Sequence, residues 1–328
     1  MFRELKNTHS YPKVIAFLSI FSFVSALAYS FIGELFLPFA VAFYSALLLF
    51  ENPTKRIFSL IIPIATVTLC VILTDIYSLI TLEYVILSAV LVLSYTRLSA
   101  KGECSVYMTV ITSLFVILSL YLGAARAVGS FNYEDVIQYY SDIYSTFKEG
   151  MVEILSTYTV PSRNGTNEYF MTQGEASDYI DYISKFAVSL VGIFSFVLSG
   201  IALKIFTRVV LHYSEKGITR RFASFIPSSL VAYLYVICAI IEAFSGMQTV
   251  LSIAIANVYT ILMIPFAYVG FKYLSLMCKI NDRRFLGLFL YFAVIFMFQF
   301  AVPILSYFGV FVTVSTNKNL NDTDFRIK

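Results

Sequence analysis

The residues of this sequence that could do chemistry are the few polar side chains set inside its long apolar runs. They are Glu34, Asp75, Glu83, Arg126, Lys204, Glu242 and Lys272, with Asn257 and Gln299 as neutral polar groups. An ionisable group inside a bilayer must pair, reach water, change protonation state or extend to an interface, because a bare charge in hydrocarbon is costly. Lys204 and Lys272 stand near span ends, where the long side chain snorkels to the headgroups. Glu34 and Asp75 fall at turns between runs, within reach of water. Glu83 differs: on a span beginning near residue 76 it lies about 10 Å inside the outer end. Arg126, about one turn inside the end of its own run, can meet Glu83 at similar depth, and Glu242 and Asn257 fall in the outer halves of theirs. Two chemistries fit this gathering of polar groups toward one side. One is a Glu83–Arg126 clasp that only braces helices, the weightier of the two. The other is an outward-open pocket for a small polar solute, with Glu83, Arg126, Asp75, Glu34, Glu242 and Asn257 as candidate ligand-binding residues.

Other chemistries lack their residues. The two histidines, His9 and His212, belong to no HExxH pattern, and Cys70, Cys104, Cys238 and Cys278 form no CxxC pair, so no metal site is expected. The cysteines sit in apolar runs or short basic connections, which argues against a disulfide framework. Neither a Walker A loop nor a GxSxG elbow occurs. The expectation is a protein that is not an enzyme, with no cofactor and no nucleic-acid partner.

The elements that must position these residues follow from composition. The chain is 59% apolar and 13% charged, against about 45–50% and about 25% in a soluble domain, and its mean hydropathy is +0.81. A 37.0 kDa soluble globule could not be covered by so few charges; the partner of most of this surface is a lipid bilayer. About 20 apolar residues cross one. Candidate spans are 14–32, 35–50, 57–73, 76–96, 105–128, 184–207, 222–245 and 250–278, and 285–316 is long enough for one helix kinked at Pro303 or for two short ones. Runs this long without alternation are helices, since lipid offers the backbone no other partner. The fold class is therefore all-α, a polytopic transmembrane bundle of nine or ten spans with one extracytoplasmic amphipathic helix.

Charge divides the chain further. Residues 129–185 hold nine acids and three bases, and with ten spans the chain as a whole places 19 Lys and Arg on one side against 4 on the other. Basic loops stay cytoplasmic, so the N-terminus and the tail are expected inside the cell membrane and the acidic segment outside it. The reading is thus N-terminal membrane helices over 1–128, an extracytoplasmic insert over 129–182, C-terminal membrane helices over 183–316 and a polar cytoplasmic tail over 317–328. Within the insert, Asn132 followed by Glu134 and Asp135 starts a helix, and Val136, Ile137, Tyr140, Ile143, Tyr144, Phe147, Met151, Ile154 and Leu155 line one face of it. That face is expected to pack over the outer mouth of the bundle; residues 160–175 read as irregular loop. The tyrosines read as an interfacial belt plus packing. On the first span, Ser22, Ala26 and Ser30 form a strip of small residues that lets another helix approach, either the next one of this chain or one from another membrane subunit.

With the spans placed, the C-terminal half resembles the YybS-like family of bacterial membrane proteins, a domain of unknown function. The resemblance lies in Asn257-Val258 opening a helix, Gly270 followed by Phe271 and Tyr273, then Lys279, Arg283-Arg284, Pro303-Ile304-Leu305 and Gly309. Val269 and Val312 depart from it, at positions where the family usually carries Gln and Asp. That family is similar in turn to the substrate-capturing S components of energy-coupling-factor transporters, which pair with a second membrane subunit through small residues on their first helix. The resemblance implies a non-catalytic, transport-like or small-solute-binding subunit. The rival from another class is a structural or regulatory membrane protein with no small ligand.

Overall fold

The computed structural model describes residues 11–51, 57–74, 83–97, 103–161, 167–169, 171–213, 227–245 and 249–320. Among them run twelve α-helices: α1 (Tyr11–Ile32), α2 (Leu37–Phe50), α3 (Ile57–Thr74), α4 (Glu83–Arg97), α5 (Glu103–Val128), α6 (Tyr133–Thr157), α7 (Gln173–Ser184), α8 (Ala187–Tyr213), α9 (Ser229–Ser245), α10 (Val250–Ile280), α11 (Arg284–Phe296) and α12 (Phe298–Leu320). A two-stranded antiparallel ribbon, β1 (Thr159–Pro161) with β2 (Asn167–Tyr169), pairs Val160 with Glu168. Ten of the helices are apolar, five of them long enough to cross a bilayer and five shorter. The chain is a polytopic helical membrane protein.

Two compact units form, and each draws on separated stretches of chain: Met1–Ile117 with Gly192–Ile226, and Leu118–Val191 with Pro227–Lys328. Two of the three boundaries fall inside α5 and α8.

In the first unit the core is built from Leu18 and Ala26 of α1, Leu47 of α2, Leu87 and Leu91 of α4, Met108 of α5 and Phe206 of α8. On the small-residue strip, Ser22 and Ala26 are fully buried, and the Ser30 hydroxyl donates to the Ala26 carbonyl at 2.8 Å. Ser88 Oγ donates to the Val41 carbonyl at 3.1 Å and ties α4 to α2. Glu51, a buried carboxylate that follows α2, accepts from the Phe58 and Ser59 N–H groups at 2.8 and 3.0 Å. These are among the unpaired donors of the first turn of α3, and an anion is favoured there by the helix dipole as well.

In the second unit, α5 ends at Gly129, whose φ of 73° lies in the left-handed region that favours glycine, and the Ser130 N–H returns to the Ala125 carbonyl at 3.1 Å. The chain then re-enters a helix at Asn132, whose side chain accepts from Glu134 N–H at 3.4 Å. This start agrees with the sequence reading. The segment after α6 does not: in place of an irregular loop there are the ribbon and α7, begun by a capping box in which Thr172 Oγ1 accepts from Glu175 N–H and Glu175 accepts from Thr172 N–H. Nor does the face of α6 close over a core. Val136 is buried against Ala124 and Ala125, while Ile137, Tyr140, Ile143, Phe147 and Ile154 stay exposed.

The α6–α7 pair is joined by Lys148, whose ammonium donates to both Asp181 carboxylate oxygens at 2.7 and 2.6 Å, and by the Tyr144 hydroxyl at 2.8 Å. The Lys148 ammonium and then the Tyr144 hydroxyl hold the Asp181 carboxyl below the usual carboxylate range, and the Asp181 hydrogen bond holds Lys148 above the ordinary lysine value. A depressed carboxyl pKa adds stability that is present above the unfolded value, about 3.9, and lost as pH falls through the folded one; the raised lysine loses its share as pH rises through its folded value, above about 10.4. Because both groups are solvent-accessible the effect is small and local. We expect α7 amide protection, corrected for intrinsic exchange, to hold between about pH 4 and pH 10 and to drop below pH 4. In Asp181→Asn the acid step should shrink to the part that the Glu175 capping carboxylate contributes; an unchanged acid step would mean that Asp181 has no share in it.

The stretch 285–316 forms two helices, α11 and α12. The break is at Met297 (φ −118°, ψ 38°), not at Pro303, which lies six residues into α12. The α11 side chains Leu290 and Val294 pack on Ala267, Val302 and Leu305, which a single continuous helix could not bring about. Asn257 likewise lies two turns inside α10 and does not open a helix; that start belongs to Thr249, capped reciprocally with Ser252. At the α10–α12 crossing the backbones touch. A Cβ placed on Gly270 would fall on the Leu305 carbonyl oxygen, and one on Gly309 would fall on that of Phe266.

Candidate functional site

The sequence candidates separate in the structure. Asp75 and the side chains of Glu34 and Arg126 lie outside the described residues, and with them the proposed Glu83–Arg126 contact. Glu83 is the first described residue of α4, since residues 75–82 are also outside that set. It is 3% exposed and accepts a hydrogen bond from the Tyr29 hydroxyl of α1 at 2.7 Å, so its carboxyl group faces the interior of the first unit. Lys204, Lys272 and Gln299 are exposed.

Asn257 is engaged entirely with backbone. Its Oδ1 accepts from Ser189 N–H at 2.9 Å, and its Nδ2 donates to the Lys185 and Ile253 carbonyls at 2.6 and 2.9 Å. One buried amide therefore holds the α7–α8 junction to α10. Asn257→Leu removes all three bonds and takes the acceptor from a buried N–H. We expect a loss of about 2 kcal/mol or more, read as a lower thermal midpoint in mild detergent; a midpoint within a degree of the parent would contradict this bracing role.

Glu242, a candidate ligand-binding residue in the sequence, shares its helix face with one of the tyrosines that sequence reasoning assigned to an interfacial belt and packing. On α9, Tyr235 and Glu242 are seven residues apart and share a face. Tyr235 is fully buried, its hydroxyl is 2.6 Å from Ser306 Oγ on α12, and its ring stacks on Tyr259 of α10 with centroids 5.0 Å apart. The Tyr259 and Tyr307 hydroxyls are 3.4 Å apart. The Glu242 carboxylate is close enough to act electrostatically on both Tyr259 and Tyr307. Tyr307 is half exposed, and among the described residues no basic side chain forms an ion pair with Glu242. Four hydroxyls thus line the α9–α10–α12 seam, from a buried end at Tyr235 and Ser306 to an exposed end at Tyr307, and the Glu242 carboxylate continues the Tyr235 face of α9. Such a row can donate to, accept from, or place a negative charge beside a polar molecule. The signal in sequence was the seven-residue spacing of Tyr235 with Glu242. Among the described residues no cluster of metal-binding side chains occurs. Comparison with protein-family models, curated proteins and solved structures finds no match to this chain.

Proposed function

We propose that the chain is a non-catalytic membrane subunit that binds a small polar solute, with the α9–α10–α12 seam as its site. The supporting observation is the exposed end of that seam: Tyr307 is half exposed at the end of the hydroxyl row, and Glu242, which forms no ion pair among the described residues, continues the Tyr235 face of α9 two turns on. Glu83 supports the same reading less strongly, because its carboxyl group is closed off inside the first unit. In an S-component-like role the subunit would meet a second membrane protein over a surface other than Ser22 and Ala26, which its own helices cover. The rival role, a structural or regulatory protein, is favoured by the engagement of Asn257 with backbone alone. Purification in mild detergent, native mass spectrometry and thermal shift against a panel of small polar solutes decide between them. A solute that raises the midpoint in the parent but not in Glu242→Gln or Tyr259→Phe is the expected result. A full panel without any shift would overturn the proposal.

The orientation proposed with it has the N-terminus and the tail cytoplasmic, on the 19-to-4 division of basic residues. In intact cells an impermeant thiol reagent should label Ser162→Cys and leave Thr323→Cys unlabelled. A labelled Thr323→Cys would refute ten spans, and an unlabelled Ser162→Cys would refute the orientation.

A further inference from the structure

The exposed stripe of α6 is tied by a hydrogen bond to a known position along the apolar window of α5. Tyr140, Ile143, Phe147 and Ile154 recur at three, four and seven residues and so share one side of the helix. Ile143, Phe147 and Ile154 keep 46%, 55% and 60% of their surface exposed. Tyr144 and Lys148, one residue further round, are the positions that face α7, so α7 does not cover the stripe. Within the stripe, the Tyr140 hydroxyl donates to the Leu120 carbonyl of α5 at 2.6 Å. Leu120 lies inside the apolar window 108–125, five residues before its end, which is about 8 Å along the helix. Its neighbour Leu118 and Leu120 itself are exposed, as side chains on a bilayer-facing flank must be. The stripe therefore begins at a level where α5 is already apolar, and it continues an exposed apolar flank. Interfacial helices bury their apolar side by about 5–10 Å below the headgroup boundary, the same depth.

We propose that α6 is an interfacial helix whose Tyr140–Ile143–Phe147–Ile154 stripe is seated among the lipid acyl chains beside the end of α5, with its acidic side in water. The occupant of the stripe is phospholipid. The opposite side carries Glu134, Asp142, Glu149 and Glu153, and the whole helix has five acids against one lysine, so anionic headgroups are repelled and zwitterionic lipid is the partner of fitting charge. Seating α6 in this way holds the α6–α7 pair at the membrane surface and leaves the ribbon on the water side of it.

The test uses the full chain in phosphatidylcholine vesicles with Cys104 and Cys278 replaced by serine, Cys70 and Cys238 being buried. Nitroxide labels are placed singly through Phe147→Cys, Ile154→Cys, Asp142→Cys and Glu149→Cys, and collision rates are measured with oxygen, which concentrates in lipid, and with a polar nickel complex, which stays in water. The expected result is an oxygen-to-nickel ratio several-fold higher at 147 and 154 than at 142 and 149. High nickel accessibility at all four positions would place the stripe in water and overturn the proposal. Low accessibility to both reagents at 147 and 154 would mean that protein covers the stripe, either this chain or a second copy, and would overturn it equally.

Discussion

Any side chain at Gly270 or Gly309 is expected to separate α10 from α12 and unfold the second unit. Each Cβ would overlap a backbone carbonyl oxygen on the facing helix, and further backbone atoms follow: Gly309 N lies 3.0 Å from the first Cβ, and Phe266 C lies 2.8 Å from the second. Main chain cannot rotate aside as a flexible side chain can, so relief requires the helices to move apart. That displacement loosens the packing of Ala232, Tyr235 and Phe266, and of Ala267, Val302 and Leu305. Overpacking a core against side chains costs typically about 1–3 kcal/mol; here the loss should exceed about 3 kcal/mol for Gly270→Ala and be larger for Gly309→Val. The buried thiols report each unit separately, Cys70 on α3 for the first and Cys238 on α9 for the second. In Gly270→Ala, Cys238 should react at temperatures where Cys70 is still protected. Parent-like protection of Cys238 in both variants would show that the backbones do not touch at this crossing.

The second large effect is expected at Tyr29. Its hydroxyl donates to a carboxyl group that is 3% exposed, and a buried acceptor that loses its donor is destabilised by more than the same loss at a surface. Tyr29→Phe keeps the ring and its packing, so the change isolates the hydrogen bond; about 1–3 kcal/mol should be lost, read as earlier exposure of Cys70. Glu83→Leu alone removes the acceptor and leaves the phenol hydroxyl without this partner. In the double variant the two losses should fall short of their sum by 1 kcal/mol or more, as they do for groups in direct contact. Strict additivity would mean that the two groups do not interact.

The helical membrane architecture was legible because apolar length alone decides it, and α6 was legible because one side of it is polar. Inside the bilayer that contrast disappears: the side of a helix facing lipid is as apolar as the side facing the core, so periodicity does not tell the two apart. The break at Met297 therefore left no trace, and the more conspicuous Pro303 drew the boundary instead. The start of α7 did leave one, since Thr172 and Glu175 have the spacing of a capping box. Sequence directed attention to charges, which found Glu83 and Glu242. It passed over Glu51, whose neighbours Lys55 and Arg56 give it the look of a turn residue, and over the tyrosines and Ser306, which acquire a collective role only when three distant helices meet. The two glycines were noticed as landmarks of a resemblance, and their mutual approach is what an all-glycine crossing requires.

The first unit draws part of its core from α8: Ala202, Phe206 and Val210 pack with residues of α1, α2 and α4. A ribosome synthesises more than seventy residues between Ile117 and Gly192 before those side chains exist. Helices α1 to α5 must therefore wait in the membrane with an incomplete interior while the acidic α6–α7 segment emerges. During that interval the nascent chain lacks the Phe206 ring that fills this core in the folded unit, and the apolar side chains around it stay uncovered. Premature termination anywhere between α5 and α8 should for that reason yield a fragment that is degraded rather than stored, even though its first five helices are intact.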